Sequence, residues 1–279
     1  MTISSRDVKL ADGRLLRVHD AGPSDGSESL TLLWHHGSPQ TGAILEPLLV
    51  AAVKRGIRLV SYARPSYGGS SPLRGRTVAS AADDVAQLAD SLGLGRFAVM
   101  GHSGGGPHAL ACAALLPGRL IGAVTLACIA PYTEAFDWFG GMVASGGLRA
   151  ALEGTPAREA FARIDEFDMN SFTAADWKTL SGAWASLGRD SEEAAEAGPE
   201  GLIDDDLAFA RPWGFDLAAI NVPVLLVQGG EDRVVPASHA DWLLRAGPTS
   251  ELWLRPRDGH LAILGAVPVA MDWLLAQPA

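Results

Sequence analysis

Ser103 sits in Gly101-His102-Ser103-Gly104-Gly105, between an apolar run of strand type (Arg96-Phe97-Ala98-Val99-Met100) and an Ala/Leu-rich run of helix type from Pro107 to Leu116. A Gly-x-Ser-x-Gly sequence in that context predicts a sharp strand-to-helix turn that pushes the serine hydroxyl out above a sheet edge. Glycine is needed two residues to either side, because a side chain there would strike the neighbouring backbone. A serine hydroxyl is a poor nucleophile near neutral pH and needs a base, which needs an orienting carboxylate. Two histidines follow Ser103 at a distance, His239 and His260. His260 lies in Asp258-Gly259-His260-Leu261, a loop after a strand-like run, whereas His239 falls within a helical stretch, so His260 is the expected base. In Gly229-Gly230-Glu231-Asp232, Asp232 follows another strand and is the expected acid, with Glu231 its competitor. A developing oxyanion needs backbone N–H donors. Gly104 after the nucleophile and Ser38 in His36-Gly37-Ser38-Pro39 are placed to supply them, since Pro39 has no N–H. His36 is expected to brace that loop. No cluster of histidines and carboxylates has metal-ligand spacing.

These loops need a frame. Arg6 to Ala21 reads as a hairpin around Asp12-Gly13, followed by a polar loop from Pro23 to Ser29. Strands are expected at Leu30–Trp34, Arg58–Tyr62, Gly122–Ala127, Val224–Gln228 and Glu251–Leu254, besides the one before Ser103. Helices are expected near Ile44–Lys54, at Val78–Leu92 with a stripe of Val85, Leu88 and Leu92, after Ser103, at Ala237–Arg245 and at Leu264–Leu275. Buried strands alternating with helices predict a mostly parallel sheet covered on both faces. Tyr132 to Phe215 breaks this rhythm. It shows no strand, but a cap-and-proline start at Thr155-Pro156, a capping arrangement at Thr173 to Asp176 ahead of a Trp177, Leu180, Trp184 stripe, and a helix opening at Pro199.

The 279 residues carry a formal charge of −10, which argues against nucleic acid. The whole excess lies in the middle segment, where 16 acidic residues face 6 basic ones. A solvated face is the preferred reading of that charge; a site for a cationic group, such as a peptide amine, is the sharper one. No apolar run approaches the ~18–20 residues of a membrane span. The first residues lack the pattern of a secretory signal, so a cytoplasmic location is expected. Cys112 and Cys128 are expected as buried free thiols.

With these residues placed, the chain resembles the α/β-hydrolase superfamily, and within it the members with a helical lid. The resemblance spans nearly the whole chain, through His36-Gly37-Ser38-Pro39, the turn at Ser103, Gly229 to Asp232, and Gly259-His260. It implies an α/β fold with a mostly parallel eight-stranded sheet, a core of residues 1–131 and 216–279, and an all-helical cap of residues 132–215. The loop after the fourth strand departs from the family pattern Asp-x-Pro-Gly-x-Gly-x-Ser, with Ala63 and Ser66 where Asp and Gly are common. Members with an Asp nucleophile (haloalkane dehalogenases and epoxide hydrolases) are disfavoured by Ser103. The expected activity is hydrolysis of a small or medium, largely apolar carboxylic ester by Ser103, His260 and Asp232, without cofactor, by a monomer or homodimer acting on a small molecule. Trp138, Phe139 and Met142 are candidates for the substrate pocket. Three alternatives stand beside it: an aminopeptidase like the proline iminopeptidases, a C–C bond hydrolase, and a non-catalytic ligand-binding protein of the same fold.

Overall fold

The computed structural model describes residues 3–22 and 28–278. The expected hairpin forms from β1 (Ser4–Lys9) and β2 (Leu15–Ala21), which pair antiparallel. Most of the polar loop expected over 23–29 lies outside the described residues. The remaining strands are β3 (Leu30–His35), β4 (Ile57–Tyr62), β5 (Phe97–His102), β6 (Leu120–Leu126), β7 (Val224–Gly229) and β8 (Ser250–Arg255). They form one eight-stranded sheet in the order β1-β2-β4-β3-β5-β6-β7-β8. Every pairing from β4 to β8 is parallel, and β2 meets β4 antiparallel.

The central parallel strands β3, β5, β6 and β7 are buried on both faces, which explains their largely apolar runs. Alternate residues feed two separate cores. Phe97 and Val99 of β5, with Val224 and Leu226 of β7, pack on one face beneath α2 (Ser80–Ser91), α3 (Gly106–Leu115) and α9 (Ala237–Ala246). Ala98, Met100, Leu225 and Val227 pack on the other beneath α1 (Glu46–Val53) and α10 (Val267–Leu275). The stripe read from the sequence is correct in α2: Val85 and Leu88 are fully buried. Cys112 and Cys128 are free and buried, and burial pushes both thiols up. No described helix is long and apolar enough to cross a membrane.

Between β6 and β7 the described chain holds α4 (Gly146–Glu153), α5 (Thr155–Ala162), α6 (Ala174–Leu180), α7 (Ala185–Glu196) and α8 (Glu200–Phe209), and no strand. Two local expectations need correction. Thr155 does not cap α5; it is the first helical residue, and Gly154 at φ 107 takes the cap, a backbone conformation that glycine adopts without steric cost. The Trp177, Leu180, Trp184 stripe does not lie on one helix, because α6 ends at Leu180 and Trp184 is the N-terminal boundary of α7. The capping box at Thr173 is present: its hydroxyl accepts from the Asp176 N–H while the Asp176 carboxylate accepts from the Thr173 N–H.

Candidate active site

Ser38, Ser103, Asp232 and His260 all follow carboxyl ends of parallel strands, namely β3, β5, β7 and β8 in turn. That edge is where open α/β sheets hold ligands. Ser103 itself has φ 52, in the left-handed region that a residue with a side chain rarely enters. The glycines permit the turn. A Cβ on Gly101 would lie 2.3 Å from the Gly105 carbonyl oxygen, and one on Gly105 would lie 2.1 Å from that of His35.

The turn delivers the Ser103 hydroxyl to His260, with 2.9 Å between Oγ and Nε2. On the far side of the ring, Nδ1 lies 2.8 Å from Asp232 Oδ2. An ionised carboxylate can only accept, so Nδ1 carries the proton and Nε2 is left to accept from Ser103. Asp232 is itself fixed, its Oδ1 accepting from the N–H groups of Val234 (2.9 Å) and Val235 (2.8 Å). Glu231, the rival acid, is exposed. His239, the rival base, is fully buried and spent on structure: Nδ1 accepts from the Ala130 N–H and Nε2 donates to the Trp138 carbonyl. Burial lowers its pKa to about 4.

The loop after β3 is braced by His36, as expected. Its Nδ1 donates to the Gly37 carbonyl at 2.7 Å and its Nε2 accepts from the Arg64 N–H at 3.1 Å. The Ser38 N–H has no hydrogen-bond partner among the described residues. The Ser38 side chain rests against Gly104, where an added Cβ would lie 2.3 Å from Ser38 Oγ. Ser66, which replaces a common glycine, takes φ 73, and its hydroxyl donates to Asp204 at 2.8 Å.

The three candidate pocket residues differ in burial. Trp138 is 2 % exposed, donates to the Ala130 carbonyl at 3.0 Å and packs edge-on to His239 and Phe139. Phe139 and Met142 are half-buried against the same core, with the Arg149 guanidinium 3.9 Å above the Phe139 ring.

Several contributors had no signal in the sequence. His102 donates from Nε2 to the His260 carbonyl at 3.0 Å, and burial, with His260 nearby, lowers its pKa to about 3. Asp176, on α6, reaches the residues after His260: its Oδ1 accepts from the N–H groups of Leu261 (2.7 Å) and Ala262 (2.8 Å). Asp190, on α7, accepts from the hydroxyl and N–H of Thr41. Asp205, on α8, meets Arg64 at 2.7 Å and Arg76 at 2.6 Å in a fully buried cluster. Burial alone would raise the Asp205 carboxyl, but the two guanidinium groups outweigh it and hold it well below the usual range. The expectation of a solvated acidic face therefore fails at these positions, because the carboxylates point at the core loops.

The sequence matches the profile of the Alpha/beta hydrolase family over residues 32–271. It is 28 % identical to a non-heme chloroperoxidase of Streptomyces lividans, over 84 % of each chain. It is 29 % identical to a 2-hydroxy-6-oxononadienedioate/2-hydroxy-6-oxononatrienedioate hydrolase of Burkholderia vietnamiensis, over 90 % of this chain and 87 % of that one. Among solved structures, the bromoperoxidase of Bacillus anthracis superposes with a TM-score of 0.76 at 24 % identity, covering 98 % of this chain and 99 % of the other.

Proposed function

The chain belongs to the alpha/beta hydrolase family, and from that premise we propose that it is a serine hydrolase cleaving a small or medium, largely apolar carboxylic ester through an acyl-enzyme. The observation that carries this reading is the unbroken relay from Ser103 through His260 to Asp232, at 2.9 and 2.8 Å. Ser103 Oγ attacks the ester carbonyl as its proton passes to His260 Nε2. Asp232 stabilises the imidazolium and keeps the ring in the required tautomer. The N–H groups of Ser38 and Gly104 hold the oxyanion, His260 returns the proton to the leaving alcohol, and water then releases the acid by the same steps. Residues 132–215 act as a cap over a core of residues 1–131 and 216–279. Phe139 and Met142 are the candidates for acyl contact, with Trp138 supporting them from below.

The amine-recognising alternative needs an uncommitted carboxylate. Asp204, Asp205 and Asp206 are instead bound to Ser66, to Arg64 and Arg76, and to Arg158. Cleavage of a C–C bond uses the same triad and has one specific support, the similarity to the Burkholderia vietnamiensis hydrolase. Hydrolysis of p-nitrophenyl esters from acetate to decanoate tests the main reading. Turnover is expected to peak at a short or medium chain and to fall by about 10⁶-fold in Ser103→Ala. A protein inert on every ester, or a Ser103→Ala variant as active as the native chain, would sink it.

A further inference from the structure

The Asp205 carboxylate lies in the helical segment, far in sequence from Ser38, yet its side chain is fully buried beneath the loop that carries Ser38. Four donors converge on it. Oδ2 accepts from Ser38 Oγ, from Arg64 Nη2 at 2.7 Å and from the Tyr67 hydroxyl at 2.9 Å, and Oδ1 accepts from Arg76 Nη1 at 2.6 Å. Arg64 extends the clamp along the loop, donating to the His36 carbonyl, to the Gly37 carbonyl at 3.2 Å and to Ser38 Oγ at 2.9 Å. Ser38 has one hydroxyl proton. With that proton given to Asp205 and a lone pair taken by Arg64, Oγ cannot rotate, and the side chain stays wedged against Gly104. Gly104 is also held by His108, whose Nδ1 donates to the Gly104 carbonyl at 2.8 Å and whose Nε2 lies 3.9 Å from Asp205 Oδ1.

We propose that Asp205 is a positioning residue for the oxyanion hole: through Ser38 and Arg64 it fixes the direction of the Ser38 N–H relative to that of Gly104. It never touches the reacting atoms. This inference rests on the serine-hydrolase reading. It makes the helical segment part of the catalytic frame, because the carboxylate that sets the loop arrives on α8.

The test compares Ser38→Ala and Asp205→Asn with the native full-length protein. Ser38→Ala keeps the N–H and removes only the link, so it decides the matter even if the buried Asn fails to fold. Four quantities are read: kcat and KM on p-nitrophenyl butyrate, the rate at which a fluorophosphonate labels Ser103, and the melting temperature. Misplacing one donor by a fraction of an ångström is expected to lower kcat by about tenfold or more in each variant, with KM within about threefold. Phosphonylation slows by the same factor, because the phosphoryl oxygen occupies the same hole. The double variant is no slower than Asp205→Asn alone, since Asp205→Asn already breaks the connection that Ser38→Ala removes. Native kcat in Ser38→Ala, or a loss carried entirely by KM, would overturn the inference while leaving the serine-hydrolase reading intact. A native protein whose Ser103 neither turns over ester nor takes the label would overturn both.

Discussion

At Ser103 the backbone holds φ 52, a conformation that costs of order 1–3 kcal/mol and must be enforced by its surroundings. The enforcement is steric, through glycines that let two backbone segments touch. Gly105→Ala would place its Cβ 2.1 Å from the His35 carbonyl oxygen, and backbone cannot step aside as a flexible side chain can. That variant is expected to lose more than about 3 kcal/mol of stability, or to fail to fold, by denaturant titration. Asp232→Asn should fold normally and lose roughly 10⁴-fold in kcat, because the His260 ring then loses its fixed tautomer. A normal rate would remove Asp232 from the relay. The residue types that meet at Ser103 were legible because a strand, a tight turn and a helix each leave a local signature. Asp205 left none, and Asp176 announced only its capping box. An aspartate bound to a loop 141 residues away, as Asp205 is to Arg64, has the same neighbours in sequence as one facing water.

At the scale of elements, α6 shows how much a local pattern carries and where it stops. The capping box at Thr173 was readable from its spacing, yet the same Asp176 also caps the turn that begins at Leu261 and Ala262. The lost hydrogen bonds of Asp176→Ala should cost about 1–3 kcal/mol, since the buried N–H groups of Leu261 and Ala262 would both lose the oxygen that accepts from them. Hydrogen exchange at the Leu261 and Ala262 amides is expected to accelerate before global unfolding does. Unchanged protection there would show that Asp176 does not hold this turn. The alternating apolar residues of β5 and β7 were also legible, because the period of two sends neighbours to opposite cores. The partition of the middle segment was less so. Gly182 and the following turn interrupt a stripe whose spacing alone suggested one helix, and α4 and α7 carry too few periodic apolar residues to announce themselves.

Across the whole molecule, the buried histidines set the response to acid. His35 and His36 are held well below the ordinary value of 6.5 by burial and nearby charge; His102 and His108 are lowered to about 3, and His239 to about 4. The folded chain keeps these rings neutral where the unfolded chain would protonate them. Stability therefore falls as pH drops below 6.5, by about 1.4 kcal/mol per pH unit for each proton taken up on unfolding. Asp206, raised to about 6 by burial against the pull of Arg158, works the other way between 3.8 and 6, because there the folded chain binds the extra proton. Burial raises Asp84, Asp190 and Asp204 in the same sense, but the five histidines outnumber these carboxyls, so the urea midpoint is expected to fall between pH 7 and pH 5; a midpoint that rose would contradict the burial of these rings. Three of the aspartates that leave the helical segment for the core bear on redesign, besides Asp204 on Ser66. Asp176 grips the residues after His260, Asp190 grips Thr41, and Asp205 grips Ser38 and Arg64. The segment is thus no interchangeable cassette. A chimera that borrows the helices of a sibling to retarget specificity would arrive without its anchors, and a successful graft must transplant these three carboxylates in register and diversify only the surfaces between them.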